Sequence, residues 1–274
     1  MKFTKMHGTG NDFVVINSLI EKLPSDMVSF SKKIADRKFG IGCDQVLIIA
    51  KSDVADFKML IYNNDGSQVE MCGNGIRCFA RYVFEKGLTE KKKILVETLA
   101  GIIIPEIIND LVKVDMGEPI LEGKKIPVKI EKEKIINESI SIGGKDFLFT
   151  AVSMGNPHCI IYSDLSDENV LKNGPLIEKH ELFPNKVNVE FVNVIDKNSV
   201  EMRVWERGTG ETLACGTGAS AVGVACVLNN LTERNVSVKV KGGILNIIWD
   251  EKTNHVFMSG PAAFVFEGEY NFQS

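Results

Sequence analysis

Two stretches of this chain repeat one another, and the repetition narrows the folds open to it. Met71-Cys72-Gly73-Asn74-Gly75 is echoed by Ala214-Cys215-Gly216-Thr217-Gly218. In each, a cysteine precedes a Gly-x-Gly turn, and an apolar, helix-patterned run follows. After Cys72 the apolar residues fall at Ile76, Phe79, Ala80, Val83 and Phe84, the spacing of one helix face. After Cys215 the run from Ala219 to Leu228 is apolar nearly all round, which predicts a buried helix. Both cysteines therefore sit at or just before a helix N-terminus. Unpaired backbone N–H groups and the positive end of the helix dipole gather there. Such a place can hold a carboxylate and lower a thiol pKa.

Cys215 lies 143 residues after Cys72, and neighbouring features recur at nearly that interval. Gly10-Asn11 returns as Gly155-Asn156, Gln45 as Asn188, and Phe57–Asn63 as Val200–Glu206. Ala100-Gly101 returns as Gly242-Gly243, and Met116–Pro119 as Met258–Pro261. Shared order across five landmarks points to an internal duplication. Many strands with few helices per half predict two similar α+β domains, each a curled, mostly antiparallel sheet around one buried helix. A duplicated domain folded back on itself would bring Cys72 and Cys215 face to face across a cleft.

A chain of 274 residues has room for two cores. Its charged fraction of 25% and hydrophobic fraction of 44% are those of a soluble globular protein. A net charge of −4 argues against nucleic acid or an anionic membrane as partner. Met1–Lys5 lacks the apolar region of a signal peptide, and no run reaches membrane-spanning length. Six unclustered cysteines suit reduced thiols in a cytosol better than a disulfide framework. No Cys-x-x-Cys or His-x-x-x-His spacing supports a metal.

In chain order, the turn His7–Asn11 leads to a strand at Asp12–Ile16. Its Gly-x-Gly precedes a strand rather than a helix, which excludes a dinucleotide-binding loop. Pro24–Phe39 reads as a helix, Val46–Ile49 and Phe57–Tyr62 as strands, and Asn63–Ser67 as the turn before the first cysteine helix. Strands follow at Ile94–Thr98, Ile102–Ile107 and Val112–Met116. Gly117–Lys134 reads as the domain junction. The second half repeats the scheme with strands at Phe147–Ser153, Cys159–Tyr162, Val187–Val192 and Val200–Trp205 and a helical segment near Gly174–His180. The tail Glu267–Ser274 reads as loosely held, its end as an appended remnant.

Two facing thiols suggest a chemistry. A thiol pKa of about 8.5 lets one environment hold a thiolate and another a thiol. A substrate carbon between them loses a proton to the first and gains one from the second on its opposite face. That inverts a stereocentre without a cofactor. Opposed helix N-termini would stabilise the carbanion by donating N–H groups to its carboxylate.

Long ordered motifs carry a family resemblance: MHGTGNDF from Met6, YNNDGSQVEMCGNGIRCFARY from Tyr62, MGNPH from Met154, ERGTGETLACGTG from Glu206 and SGPA from Ser259. The chain resembles the diaminopimelate epimerase family over essentially its whole length, with no departure at the motif positions. The resemblance implies a pyridoxal-phosphate-independent isomerase that interconverts LL- and meso-diaminopimelate in lysine and peptidoglycan-precursor biosynthesis. It needs no cofactor or metal, and it is expected to be cytoplasmic and homodimeric. The resemblance also implies domains 1–117, with 262–274 returning to it, and 118–261. It makes Cys72 and Cys215 the two bases. Backbone N–H groups of Gly73, Asn74, Gly216 and Thr217 would hold the reacting carboxylate. Asn11, Asn63, Asn156, Asn188, Glu206 and Arg207 match the family's substrate contacts, with Gln45 on the same wall. The substrate's second amino-acid head group needs acceptors for its ammonium and a bidentate donor for its carboxylate, which Glu206, Asn63 and Arg207 supply. His158 and Glu206 would orient or deprotonate a thiol.

Cys78 and Cys226 fall on apolar helix runs and read as core; Cys43 and Cys159 read as structural. Three other functions compete. A proline racemase-like enzyme leaves the paired polar set without a second head group to bind. A redox or binding protein needs only a reversible Cys72–Cys215 disulfide. A cysteine hydrolase leaves the second thiol unexplained.

Overall fold

The computed structural model describes residues 1–272. They divide into two compact units, Met1–Val114 with the segment from Gly260, and Asp115–Ser259. The boundaries read from the sequence, 117/118 and 261/262, lie two or three residues further along.

The first unit runs through β1 (Lys2–Gly8), β2 (Asn11–Asn17), α1 (Met27–Ala35), β3 (Gln45–Ala50), β4 (Phe57–Asn63), β5 (Gln68–Val69) and α2 (Gly73–Glu85). The strands β6 (Val96–Thr98), β7 (Gly101–Ile103), β8 (Glu106–Ile108) and β9 (Leu111–Asp115) follow. The second unit holds β10 (Glu138–Ile142), β11 (Lys145–Ser153), β12 (Pro157–Tyr162), α3 (Gly174–Glu178), β13 (Asn188–Asp196), β14 (Ser199–Glu206) and β15 (Gly210–Thr212). It continues with α4 (Gly216–Leu228), β16 (Asn235–Val240), β17 (Gly243–Trp249) and β18 (Val256–Pro261), and β19 (Ala263–Glu269) closes the chain back in the first unit.

The first sheet has the order β19-β1-β2-β3-β4-β6-β7, and the second opens β10-β11-β12-β13-β14-β16-β17. The two orders correspond strand for strand, and the registers match too. Phe13 pairs with Gln45 across parallel β2 and β3 as His158 pairs with Asn188 across parallel β12 and β13. Ile61 pairs with Val69 as Val204 pairs with Thr212. Each is a mixed sheet with mainly antiparallel neighbours, curled on one helix. This is the α+β duplication expected from the repeated motifs.

The two helices differ in how they meet their sheets. α4 is apolar on all sides and buries nearly every residue from Gly216 to Cys226 against β11, β12, β13, β16 and β17. α2 is amphipathic: Ile76, Cys78, Phe79, Ala80 and Val83 face the sheet, while Arg81 pairs with Glu85 at 3.0 Å on the outer side. Burial of each such apolar side chain contributes about 1.5–3 kcal/mol, so both helices are fixed by tertiary packing.

Several local readings need correction. Lys2–Gly8 is a strand, hidden in the sequence because Thr4 and Lys5 break the apolar pattern; Lys5 is buried and reaches Asp12 at 2.6 Å. The helix expected over Pro24–Phe39 is shorter. The Asp26 carboxylate accepts from the Ser29 amide at its start, and Asp36 is already extended at its end. Pro105 splits the expected strand Ile102–Ile107 in two, since proline cannot donate to a ladder. Glu138–Ile142 is an additional strand. The tail is not loosely held. Glu267, Gly268 and Glu269 pair with β1, the Tyr270 amide donates to Met1 O at 2.8 Å, and Phe272 meets Phe30 edge-on at 5.0 Å between centroids. The last two positions of the expected remnant lie outside the described residues. Replacing Phe272 with alanine is expected to cost about 1–2 kcal/mol, read from the midpoint of a urea melt under reducing conditions. An unchanged midpoint would mean the tail adds nothing to the fold.

Candidate active site

Cys72 is the N-cap of α2 and Cys215 the N-cap of α4, both in extended backbone conformation. Cysteine is not a capping residue of choice, and neither side chain caps its helix with a hydrogen bond of ordinary geometry. The first intrahelical amides are those of Ile76, to Cys72 O at 2.8 Å, and Ala219, to Cys215 O at 2.9 Å. The amides of Gly73 and Asn74, and of Gly216 and Thr217, thus precede the helical ladder at each end. Close packing disfavours a side chain at the second glycine of each turn, more severely in the second. A Cβ on Gly75 would meet Leu47 Cδ2 at 3.3 Å, and one on Gly218 would meet Glu190 Oε1 at 2.7 Å.

In the first unit the Cys72 thiol points to Asn11 Oδ1 at 3.6 Å, and Asn74 Nδ2 approaches the same oxygen at 3.4 Å. Asn11 Nδ2 donates to Asp44 Oδ2 at 3.0 Å. Asn11 follows Gly10, whose φ of +89° makes the turn; Gly155, at +94°, does the same before Asn156. Asp44 and Asp12 are clamped by Arg37 at 2.7 and 2.8 Å. Burial works to raise the Asp12 carboxyl, but hydrogen bonds from Arg37 and Lys5 outweigh it and hold the group well below the usual carboxylate range. Gln45 Nε2 donates to Asn63 Oδ1 at 2.8 Å, and Asn63 Nδ2 to Ser67 Oγ at 3.0 Å. Asn11 and Asn74 thereby flank Cys72, while Gln45 and Asn63 are joined to each other across β3 and β4.

In the second unit the Cys215 sulfur lies 3.5 Å from Thr217 Oγ1, and the Gly218 amide points toward it. Burial pushes the Cys215 thiol up, and the charges of Glu206 and Glu190 push it further. This reverses the expectation that the helix N-terminus alone would lower it: two carboxylates and loss of solvent outweigh a partial dipole charge. Burial also raises Glu206, which accepts hydrogen bonds from Thr212 and from Cys215. His158 is fully buried, with Nδ1 2.7 Å from Glu190 Oε1 and Nε2 3.0 Å from Asn156 Oδ1. Asn188 Nδ2 donates to Pro157 O at 3.0 Å, and its Oδ1 accepts from the Arg207 amide at 2.9 Å. The Arg207 guanidinium is exposed and donates to Asn185 O at 3.2 Å.

Sequence reasoning missed two charged residues that are fully buried beside the cysteine turns. Arg77, fully buried on α2, donates to Gly73 O at 3.1 Å, Asn74 Oδ1 at 2.8 Å, Thr9 Oγ1 at 3.3 Å and Pro261 O at 3.3 Å. It ties together the N-terminal turn of α2, the Thr9 turn and the returning end of the chain. Its signal was an arginine on the apolar side of the helix pattern. Glu190, fully buried on β13, sits beneath the first turn of α4. Burial pushes the other thiols up as well: Cys43, Cys78 and Cys226 to about 12, and Cys159 well above its ordinary value.

The family model described as diaminopimelate epimerase matches residues 3–122 and 150–265. The chain belongs to the diaminopimelate epimerase family. A protein of that name from Acetivibrio thermocellus is 54% identical over 277 residues, covering 98% of both chains. Another from Methanococcus maripaludis is 54% identical over 275 residues, covering 98% of this chain and 99% of that one. Among solved structures, a phenazine biosynthesis protein of the PhzF family from Bacillus anthracis superposes with a TM-score of 0.68 at 16% identity, covering 99% of each chain. A probable proline racemase from Agrobacterium radiobacter gives 0.69 at 14% identity, covering 99% of this chain and 93% of that one. At such identities these two share the fold.

Arg77→Met removes the donors to four oxygens while leaving a side chain of similar length. It is expected to cost about 2–4 kcal/mol, with Arg77→Lys recovering only part, because one ammonium cannot reproduce the planar fork. Urea melts of the two variants check this; equal stability of Arg77→Met and wild type would remove the tying role.

Proposed function

We propose that this protein epimerises LL-2,6-diaminopimelate to meso-diaminopimelate without pyridoxal phosphate, using Cys72 and Cys215 as the two bases. The observation that carries this reading is a cysteine placed, twice, where a helix would ordinarily have a capping residue. The 54% identity to proteins named diaminopimelate epimerase supplies the substrate.

One sulfur, as thiolate, takes the α-proton, and the C–H electron pair passes into the α-carbon and carboxylate as an enediolate-like carbanion. The other sulfur, as thiol, gives its proton to the opposite face of that carbon. The configuration inverts, and the two sulfurs exchange protonation states. The amides of Gly73, Asn74, Gly216 and Thr217 hold the reacting carboxylate, where negative charge grows. Asn11, Gln45, Asn63, Asn156 and Asn188 line the substrate. Glu206 and Arg207 meet the distal head group, Arg207 after its exposed side chain swings from Asn185. His158 and Glu206 also tune a thiol.

The protein is proposed to work as a homodimer in the cytoplasm. β19 is the outer strand of its sheet among the described strands, and it leaves Phe264, Val265 and Phe266 partly exposed, which supports a covered face. No described helix is long and apolar enough to cross a membrane.

Proton NMR in deuterated buffer, with LL-diaminopimelate and reductant, tests the reading. Loss of one α-proton signal with appearance of the meso isomer is expected. No exchange by fully reduced protein would redirect the search to proline and its hydroxylated relatives, then to a redox role. Cys72→Ala and Cys215→Ala should each lower turnover by about a thousandfold or more with circular dichroism unchanged; near-wild-type turnover in either would end the two-base mechanism. The rate should also be bell-shaped in pH. At low pH both sulfurs are thiols and no base remains, and at high pH both are thiolates and no acid remains. A rate that only rises to a plateau would mean that a single ionisation suffices.

A further inference from the structure

The duplication makes it possible to ask which buried groups the fold needs and which the chemistry needs. Gly75 and Gly218 occupy the same place in their two helices. Beneath Gly75, a Cβ would meet Leu47 Cδ2 at 3.3 Å, Phe13 Cε1 at 3.4 Å and Cys72 Cβ at 3.3 Å. Beneath Gly218, it would meet Glu190 Oε1 at 2.7 Å, Cys215 Cβ at 3.2 Å and Cys215 Sγ at 3.3 Å. Leu47 and Glu190 hold equivalent positions on β3 and β13, and Phe13 and His158 hold equivalent positions on β2 and β12, as the paired registers require. All four side chains are fully buried. The same seat thus holds an apolar pair in one half and a carboxylate–imidazole pair in the other.

The fold therefore does not demand charge there. A buried ionisable pair is usually no better than well-packed hydrophobic residues for stability. Glu190 also carries an oxygen, Oε2, sealed from solvent with no hydrogen-bond partner among the described residues, which is a cost. We infer that Glu190 is a positioning residue of the second half-site: its carboxylate fixes the His158 ring and keeps negative charge beneath Cys215, so that this sulfur holds its proton. The inference rests on the proposed two-thiol reaction and names a residue through which its proton is allotted.

The groups facing Cys215 are few. Glu206 comes from β14, Glu190 from β13, and His158 from β12 by way of Glu190; the Thr217 hydroxyl and Gly218 amide come from its own turn. The two carboxylates favour the thiol, and the hydroxyl and amide favour the thiolate. Glu206 has a second duty as an acceptor for Thr212. Glu190 bonds to His158 alone among the described side chains.

The test is Glu190→Gln, isosteric and uncharged, in the full-length reduced protein. The first readout needs no substrate: the rate of alkylation of Cys215 by iodoacetamide, mapped by mass spectrometry against pH. The midpoint is expected to fall by about one pH unit. The second is epimerisation of diaminopimelate, where kcat should fall about tenfold or more with KM within about threefold. Wild-type values of both the Cys215 midpoint and kcat overturn the inference. If the shift in alkylation is found but the wild type exchanges no α-proton, the Glu190 assignment stands and the proposed reaction falls. Should Glu190→Gln not fold, the double variant His158→Phe/Glu190→Leu copies the pair of the first half. It should fold with a midpoint of denaturation at or above wild type and show the same lowered Cys215 alkylation midpoint; a wild-type alkylation midpoint there overturns the inference.

Discussion

A buried helix start is costly unless its leading amides find partners, and each unit of this protein buries one. α4 has no polar side and must lie inside its sheet, which fixes where its first turn points. α2 is held by its apolar side and by Arg77, whose donors reach Gly73 O and Asn74 Oδ1. With cysteine at the N-cap instead of serine or aspartate, the side chain leaves the leading amides to an incoming group. The remaining demand is for an anion at the same point as the sulfur. In the proposed reaction an amino acid's carboxylate meets that demand, which sets its α-carbon next to the thiol. On that proposal, substrate orientation follows from the helix start itself.

The duplication supplies this geometry twice, and the side chains then diverge. Arg77 and Ser220 occupy equivalent positions, and both donate to the carbonyl of the first helical residue, at 3.1 Å to Gly73 O and 3.0 Å to Gly216 O. The hydrogen bond is kept while the charge is not. Asn63 is matched by Glu206, and Leu47 by Glu190. Cationic charge lies behind the first cysteine's helix and carboxylates surround the second. A two-base inversion needs its sulfurs in opposite protonation states, and two identical environments would titrate both together. Divergence at these three positions, and at Phe13/His158, gives the two cysteines unlike surroundings on matched strand registers.

Much of the frame was legible because it depends on local signals. Helical spacing after Cys72 and Cys215, the Asn-Asp-Gly turn at Asn64, and β-branched runs such as Val46–Ile49 state their structures in short windows. What stayed hidden depends on partners distant in sequence. Lys5 reads as a polar break, yet β1 forms because Asp12 and the Gly42 carbonyl receive its ammonium. The tail residues Glu267–Phe272 carry no strong pattern of their own; β1 and Phe30 give them a place. Glu190 carries no local signal of burial within the expected strand Val187–Val192. Only the position of His158, 32 residues earlier, shows that this face is interior. Asn11, Gln45 and Asn63 could be grouped by motif, but the Gln45–Asn63 hydrogen bond comes from the register of β3 and β4, and Asn11 bonds instead to Asp44.

The six thiols show why position outweighs acidity. Burial raises Cys43, Cys78, Cys159 and Cys226, and it raises Cys215 in the same direction. The direction of the shift therefore does not separate the proposed catalytic thiol Cys215 from the four structural ones. Cys159 neighbours His158 in sequence, but strand alternation turns it into the apolar core beside Phe149 and Phe191. Cys78 and Cys226 lie within helices whose amides are already used. Cys215 alone of these five heads a helix and donates to a carboxylate, Glu206, whose own ionisation burial has made less favourable. Two groups that both resist ionisation, joined by one proton, form a site where small changes in bound charge move that proton. In the proposed reaction, an arriving substrate carboxylate and ammonium are such changes, and the neighbours that set the thiol's response are already placed by the fold.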